Sequence, residues 1–100
     1  MIRNLTPHAV NINNITIHPS GIVARVEKVT NLAGKFEGIP LVKGSYGEVI
    51  DLPEEKEGVM LIVSSLVRIA MSGRSDLASP ADLVRDVDGR IIGCESLEIN

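Results

Sequence analysis

The sequence predicts an α+β fold, a mostly antiparallel sheet or half-barrel with one amphipathic helix packed against it. Three observations carry this expectation. The first half of the chain holds short, alternating, β-branched segments separated by Asn, Pro and Gly. The second half holds one unbroken apolar run, Gly58 to Val63, followed by serines and apolar residues at helical spacing. Aromatic residues make up 2% of the 100 residues, Phe36 and Tyr46 with no Trp, so the core has to be aliphatic. That length fits a single domain, 1–100.

Each element follows from local pattern. Ala9-Val10-Asn11-Ile12 and Ile15-Thr16-Ile17-His18 alternate, and Asn13-Asn14 between them suits a two-residue hairpin turn. Pro19-Ser20-Gly21 is a second turn, after which Ile22 to Val29 reads as a strand. Asn31 to Glu37 reads as a loop or irregular crossover. Ile39-Pro40-Leu41-Val42 and Gly47 to Leu52 read as two short strands, the first at a sheet edge because of Pro40. Val59 to Val63 is the central strand. Ser64 or Ser65 caps a helix that buries Leu66, Val67, Ala70 and Met71, leaves Ser65, Arg68 and Ser72 outside, and stops at Gly73. Ser79-Pro80-Ala81-Asp82 carries the marks of a helix start. Leu83 to Asp86 and Arg90 to Cys94 read as a hairpin about Val87-Asp88-Gly89, and its second strand runs on through Leu97 and Ile99.

Composition excludes several classes of function. Ten Lys and Arg against thirteen Asp and Glu give a net charge of −3, with no basic run, so a nucleic-acid polymer is not an expected partner. Glu54, Glu55 and Glu57 after Pro53 read as a solvated loop. The single cysteine, Cys94, rules out an internal disulfide and reads as a core thiol. No apolar segment near the N-terminus forms a signal sequence, and the longest uncharged apolar run, Val59 to Val67, is too short to span a bilayer. A cytoplasmic protein without a membrane partner is expected. No phosphate loop, dinucleotide fingerprint, HExxH, paired-Cys zinc spacing or GxSxG is present, and no cofactor is expected.

Seven residues are candidate ligand-binding groups. His8 lies ten residues before His18, and the first hairpin carries both at its open end. Ser64 and Ser65 stand where a helix N-terminus presents free N–H groups to an anion. Arg25, Arg68 and Arg74 can each grip a phosphate with paired hydrogen bonds. Tyr46, in the small-residue loop Gly44-Ser45-Tyr46-Gly47, can both stack and hydrogen-bond. Simple capping, packing and local ion pairs, such as Arg74 with Asp76, are the competing explanations.

Further stretches carry a family likeness. Asn4-Leu5-Thr6-Pro7-His8-Ala9-Val10, Pro19-Ser20-Gly21 with Ala24-Arg25-Val26, and Gly38-Ile39-Pro40 occur in order. They are followed by Ile62-Val63-Ser64, Arg74 with Asp76-Leu77, and Arg85-Asp86 leading to Gly89, Ile91 and Gly93-Cys94. The series resembles small single-domain proteins of unassigned role encoded by bacteriophages, prophages and actinobacteria. The resemblance implies a phage-type accessory protein in the cytoplasm of a bacterial host. One such role is an anti-defence sponge, a homo-oligomer that sequesters a nucleotide second messenger such as a cyclic nucleotide or an ADP-ribose derivative. The first reading is accordingly a non-catalytic binder of a small anionic ligand. The alternatives are a structural or adaptor protein acting through protein–protein contacts, and a small hydrolase-type enzyme using His8, His18 and an acid such as Asp86.

Overall fold

The computed structural model describes residues 1–100 and shows a mostly β chain with one short helix. Strands β1 (Ile2–Asn4), β2 (Val10–Ile12), β3 (Ile15–Ile17), β4 (Arg25–Phe36), β5 (Ile39–Ile50) and β6 (Met60–Ile62) precede helix α1 (Ser65–Ala70). Strands β7 (Leu77–Arg85) and β8 (Ile91–Ile99) follow. Six strands form one sheet in the order β1-β6-β7-β8-β2-β3, and β4 and β5 form a separate two-stranded ribbon. The sheet curls into a half-barrel that nearly closes. Its outermost strands approach through a bridge between Asn4 and Pro19, and the Ser20 N–H donates to the Asn4 carbonyl at 2.9 Å. Antiparallel pairing dominates the two long ribbons, β4–β5 and β7–β8. The joints β1–β6, β6–β7 and β2–β8 are parallel.

The core is aliphatic throughout. Leu5, Ala24, Leu61, Val63, Val67 and Leu77 form one cluster, and Val10, Ile62 and Cys94 a second. With no ring to fill volume, shape has to come from branched side chains meeting at close range. Gly93 is one consequence: a Cβ there would lie 2.8 Å from the Asn11 carbonyl oxygen, so the glycine lets β8 approach β2.

Several expectations hold. Asn13 and Asn14 take φ of 47° and 67°, the left-handed pair that a tight hairpin needs. Val63 is fully buried and Ser64 caps α1. Cys94 is a buried free thiol.

Three expectations are corrected. The loops expected at Asn31–Glu37 and Gly44–Gly47 are absent: β4 and β5 run unbroken for 12 residues each. They turn at Glu37-Gly38, whose φ values of 50° and 80° match a two-residue turn of the same hand as Asn-Gly. Bulges between Val26 and Lys28 and between Leu32 and Gly34 absorb the irregular pattern. The second correction is Ser79–Asp82, which is strand and not a helix start. Ser79 pairs with Glu98 and Pro80 with Leu97, and these long-range pairings override the local capping signal. Pro80 is tolerated because β6 pairs with β7 only at Leu77 and Ala78, leaving the edge at Pro80 open.

The third correction concerns the helix face. Arg68 is buried while Leu66 and Ala70, expected inside, are exposed. A helix of six residues has too little length to follow an apolar stripe, and the Arg68 guanidinium finds internal partners. No helix is long and apolar enough to cross a membrane.

Candidate functional site

The N-terminal Asn-Leu-Thr-Pro-His segment is the most distinctive part of the sequence, and the structure gives it a folding role. Asn4 is buried. Its Nδ2 donates to the carbonyls of His8 at 2.8 Å and Ile17 at 3.0 Å, and its Oδ1 accepts the Thr6 N–H at 2.9 Å. One side chain thus ties the loop before β2 to the end of β3. Leu5 is fully buried beneath it.

The arginines divide by environment. Arg68 donates from Nε to Ser79 Oγ at 2.8 Å and from Nη1 to Asn100 Oδ1 at 3.2 Å, and its Nη2 lies 3.2 Å from Glu98. Asn100 Nδ2 in turn donates to the carbonyls of Arg68, Met71 and Arg74, satisfying the C-terminal end of α1. Arg74 holds Asp76 with two hydrogen bonds, 3.0 and 2.6 Å, and donates to the Pro53 carbonyl at 2.8 Å. The hydrogen bond to Asp76 raises the Arg74 pKa further, against desolvation, with added attraction from Asp76, Glu55 and Glu54. Both guanidinium groups are therefore engaged within the fold. Ser64 is engaged too, its Oγ accepting the Val67 N–H at 3.3 Å. Ser65 is exposed in the first turn of α1.

The remaining candidates lie apart. Arg25 opens β4, its side chain 62% exposed and 3.9 Å from Asp51, and it borders a shallow cavity of about 610 Å³ with Gly21 and Leu52. His8 lines a different cavity. Tyr46 stands on β5, paired with Lys28. None of the three main cavities takes two of the seven residues. His8 and His18 do both lie at the open end of the β2–β3 hairpin, whose last pair is Val10 with Ile17. No group of three or more His, Cys, Asp or Glu side chains is placed to hold a metal ion.

Two features that sequence reasoning missed stand out. The first is the β4–β5 ribbon. Its base packs on the core through Val26 and Val49, and beyond that pair it projects as an arm. The radius of gyration is 16.3 Å, and the longest axis 49 Å. A compact chain of this length has a radius of ~13 Å, and the projecting arm adds to it. Leu32, Phe36, Ile39, Val42 and Tyr46 are 59 to 70% exposed along it, so both aromatic rings of the protein sit on the arm. Register pairs Leu32 with Val42 and Phe36 with Ile39, making apolar cross-strand patches open to solvent. The sequence signal was Glu37-Gly38 between two apolar runs, a weaker form of the Asp-Gly signal at Asp88-Gly89.

The second feature is a groove of about 520 Å³ between β2 and the β7–β8 ribbon. Val10, Pro80, Leu83, Ile91 and Cys94 line it, with His8 at its border. Its parts come from segments far apart in the chain, which is why no local pattern announces it.

No protein-family model, curated protein or solved structure matches the chain.

Proposed function

We propose that this protein is a non-catalytic accessory protein that acts through protein–protein contacts, with the β4–β5 arm as its contact element. The exposed apolar arm carries this reading. Isolated two-stranded ribbons are marginal in water, and soluble monomers seldom leave such surface uncovered. The engagement of Arg68, Arg74 and Ser64 inside the fold weighs against a phosphate pocket built from them. The resemblance to phage-encoded proteins fits an adaptor role, in which a small domain joins larger ones. Arg25 and Tyr46 are the exposed groups that favour the second reading, a sponge for a nucleotide-like anion.

Site-specific photo-crosslinking separates the two. A benzophenone side chain at position 36 should form adducts with protein, whereas one at Val87, at the tip of the β7–β8 hairpin, should form few. A melting-temperature rise of several degrees with a nucleotide panel, together with no protein adduct at position 36, would favour the sponge and overturn the proposal.

A further inference from the structure

We infer that the β2–β3 hairpin is a flap, hinged at Asn4 and latched to β8, that opens while the rest of the fold stays intact. The latch, the hinge and the space around them are each visible in the structure.

The joint between β2 and β8 is the thinnest in the sheet. Register pairs one position across it, Ile12 with Cys94, against two for β6–β7, three for β1–β6 and seven for β7–β8. Gly93 puts no side chain across the joint; a Cβ there would sit 2.8 Å from the Asn11 carbonyl oxygen. Two side-chain amides span it. Asn11 Nδ2 donates to the Ile92 carbonyl and Asn13 Nδ2 to the Glu95 carbonyl, each at 3.3 Å. Both distances are long for an N–H···O bond, and both asparagines are exposed, so water competes for the same groups.

Cavities adjoin the same joint. One of about 520 Å³ and another of about 490 Å³ both reach it, and Asn11, Ile92, Gly93 and Cys94 line both. Close packing is therefore missing next to the paired position. The hairpin also buries little of itself. Between residues 10 and 17 only Val10 is buried, and Ile12 and Ile17 are half-buried. β3 is the last strand of the sheet, and its Ile15 is 60% exposed.

The open end of the hairpin is anchored by contrast. Asn4 Nδ2 bonds the carbonyls of His8 and Ile17, one on each leg, and Asn4 bridges to Pro19 just beyond. A motion that breaks the β2–β8 joint can pivot there without unzipping the three β2–β3 pairs. Segments held by few buried contacts and by exposed hydrogen bonds open before the fold as a whole. Opening merges the two cavities and bares the β8 edge with Cys94, which is 4% exposed in the closed form.

Cys94 is the only cysteine, so its alkylation by N-ethylmaleimide, followed by mass in urea below the unfolding transition, reads the opening. The parent chain should be labelled with a urea dependence well below that of global unfolding. Asn13→Gly removes the latch amide and suits the φ of 47° at that position, so it should speed labelling about fivefold. Arg74→Met weakens the fold away from the flap, since the Arg74 side chain bonds Asp76 and Pro53. It should leave the labelling rate unchanged. In hydrogen exchange, the amides of residues 10–17 should open with the same urea dependence as labelling, while the β7–β8 ladder stays protected. Labelling that follows global unfolding and rises roughly a hundredfold in Arg74→Met would overturn the flap. So would a rate indifferent to Asn13→Gly, a Cys94 left unlabelled until the fold melts, or β7–β8 amides that open together with residues 10–17. If Arg74→Met does not fold, the Asn13→Gly rate and the exchange pattern decide by themselves.

Discussion

Asn4 shows how a short motif can be distinctive without touching a ligand. Its amide satisfies three backbone groups between the end of β1 and the end of β3. Asn4→Ala leaves those groups without their partner, and unfolding should cost about 3 kcal/mol less, read as a lowered midpoint in urea. The Arg74–Asp76 pair follows the same logic. Asp76 is buried, and Arg74→Met leaves its carboxylate unpaired, so about 3 kcal/mol should be lost and the melting temperature should drop by roughly 10 °C or more. A ligand-binding arginine would instead leave the melting temperature nearly unchanged. Because the Arg74 pKa is raised, the stability from its charge is fully present below the ordinary arginine value and fades only in stronger alkali. Which arginines are internal was not legible from the sequence. Arg68 meets Ser79, Glu98 and Asn100 across separations that no periodicity encodes. The Arg74–Asp76 pair, two residues apart, was legible as a local ion pair.

At the scale of elements, the tight signals in the sequence were reliable and the diffuse ones were not. Asn13-Asn14, Asp88-Gly89 and the run ending at Val63 each produced the expected turn or strand, because dihedral preference or burial decides them locally. Ser79-Pro80 misled because capping preference is worth about 1 kcal/mol, and a paired nine-residue strand outweighs it. Gly34, Gly44 and Gly47 suggested loops, yet a two-stranded ribbon with bulges accommodates them. The arm's exposure limits its stability as an element. Without a cover its amides should exchange quickly, since only one ladder of hydrogen bonds and few buried contacts hold it.

The whole molecule is lopsided in shape. A half-barrel with an aliphatic core carries α1 on one side and throws out an arm, residues 27–48, whose three Lys and three Glu cancel, so the rest of the chain carries the net charge of −3. The low aromatic content, which dictated the aliphatic core, leaves both rings on the surface. Phe36 and Tyr46 are absent from the core and stand at opposite ends of the arm, Phe36 at the tip and Tyr46 near the base. The central claim is that the arm is a protein-contact element. Photo-crosslinking from position 36 tests it most directly. Protein adducts at position 36, with few from Val87, are the result this account requires. Absence of any protein adduct at position 36 would contradict it.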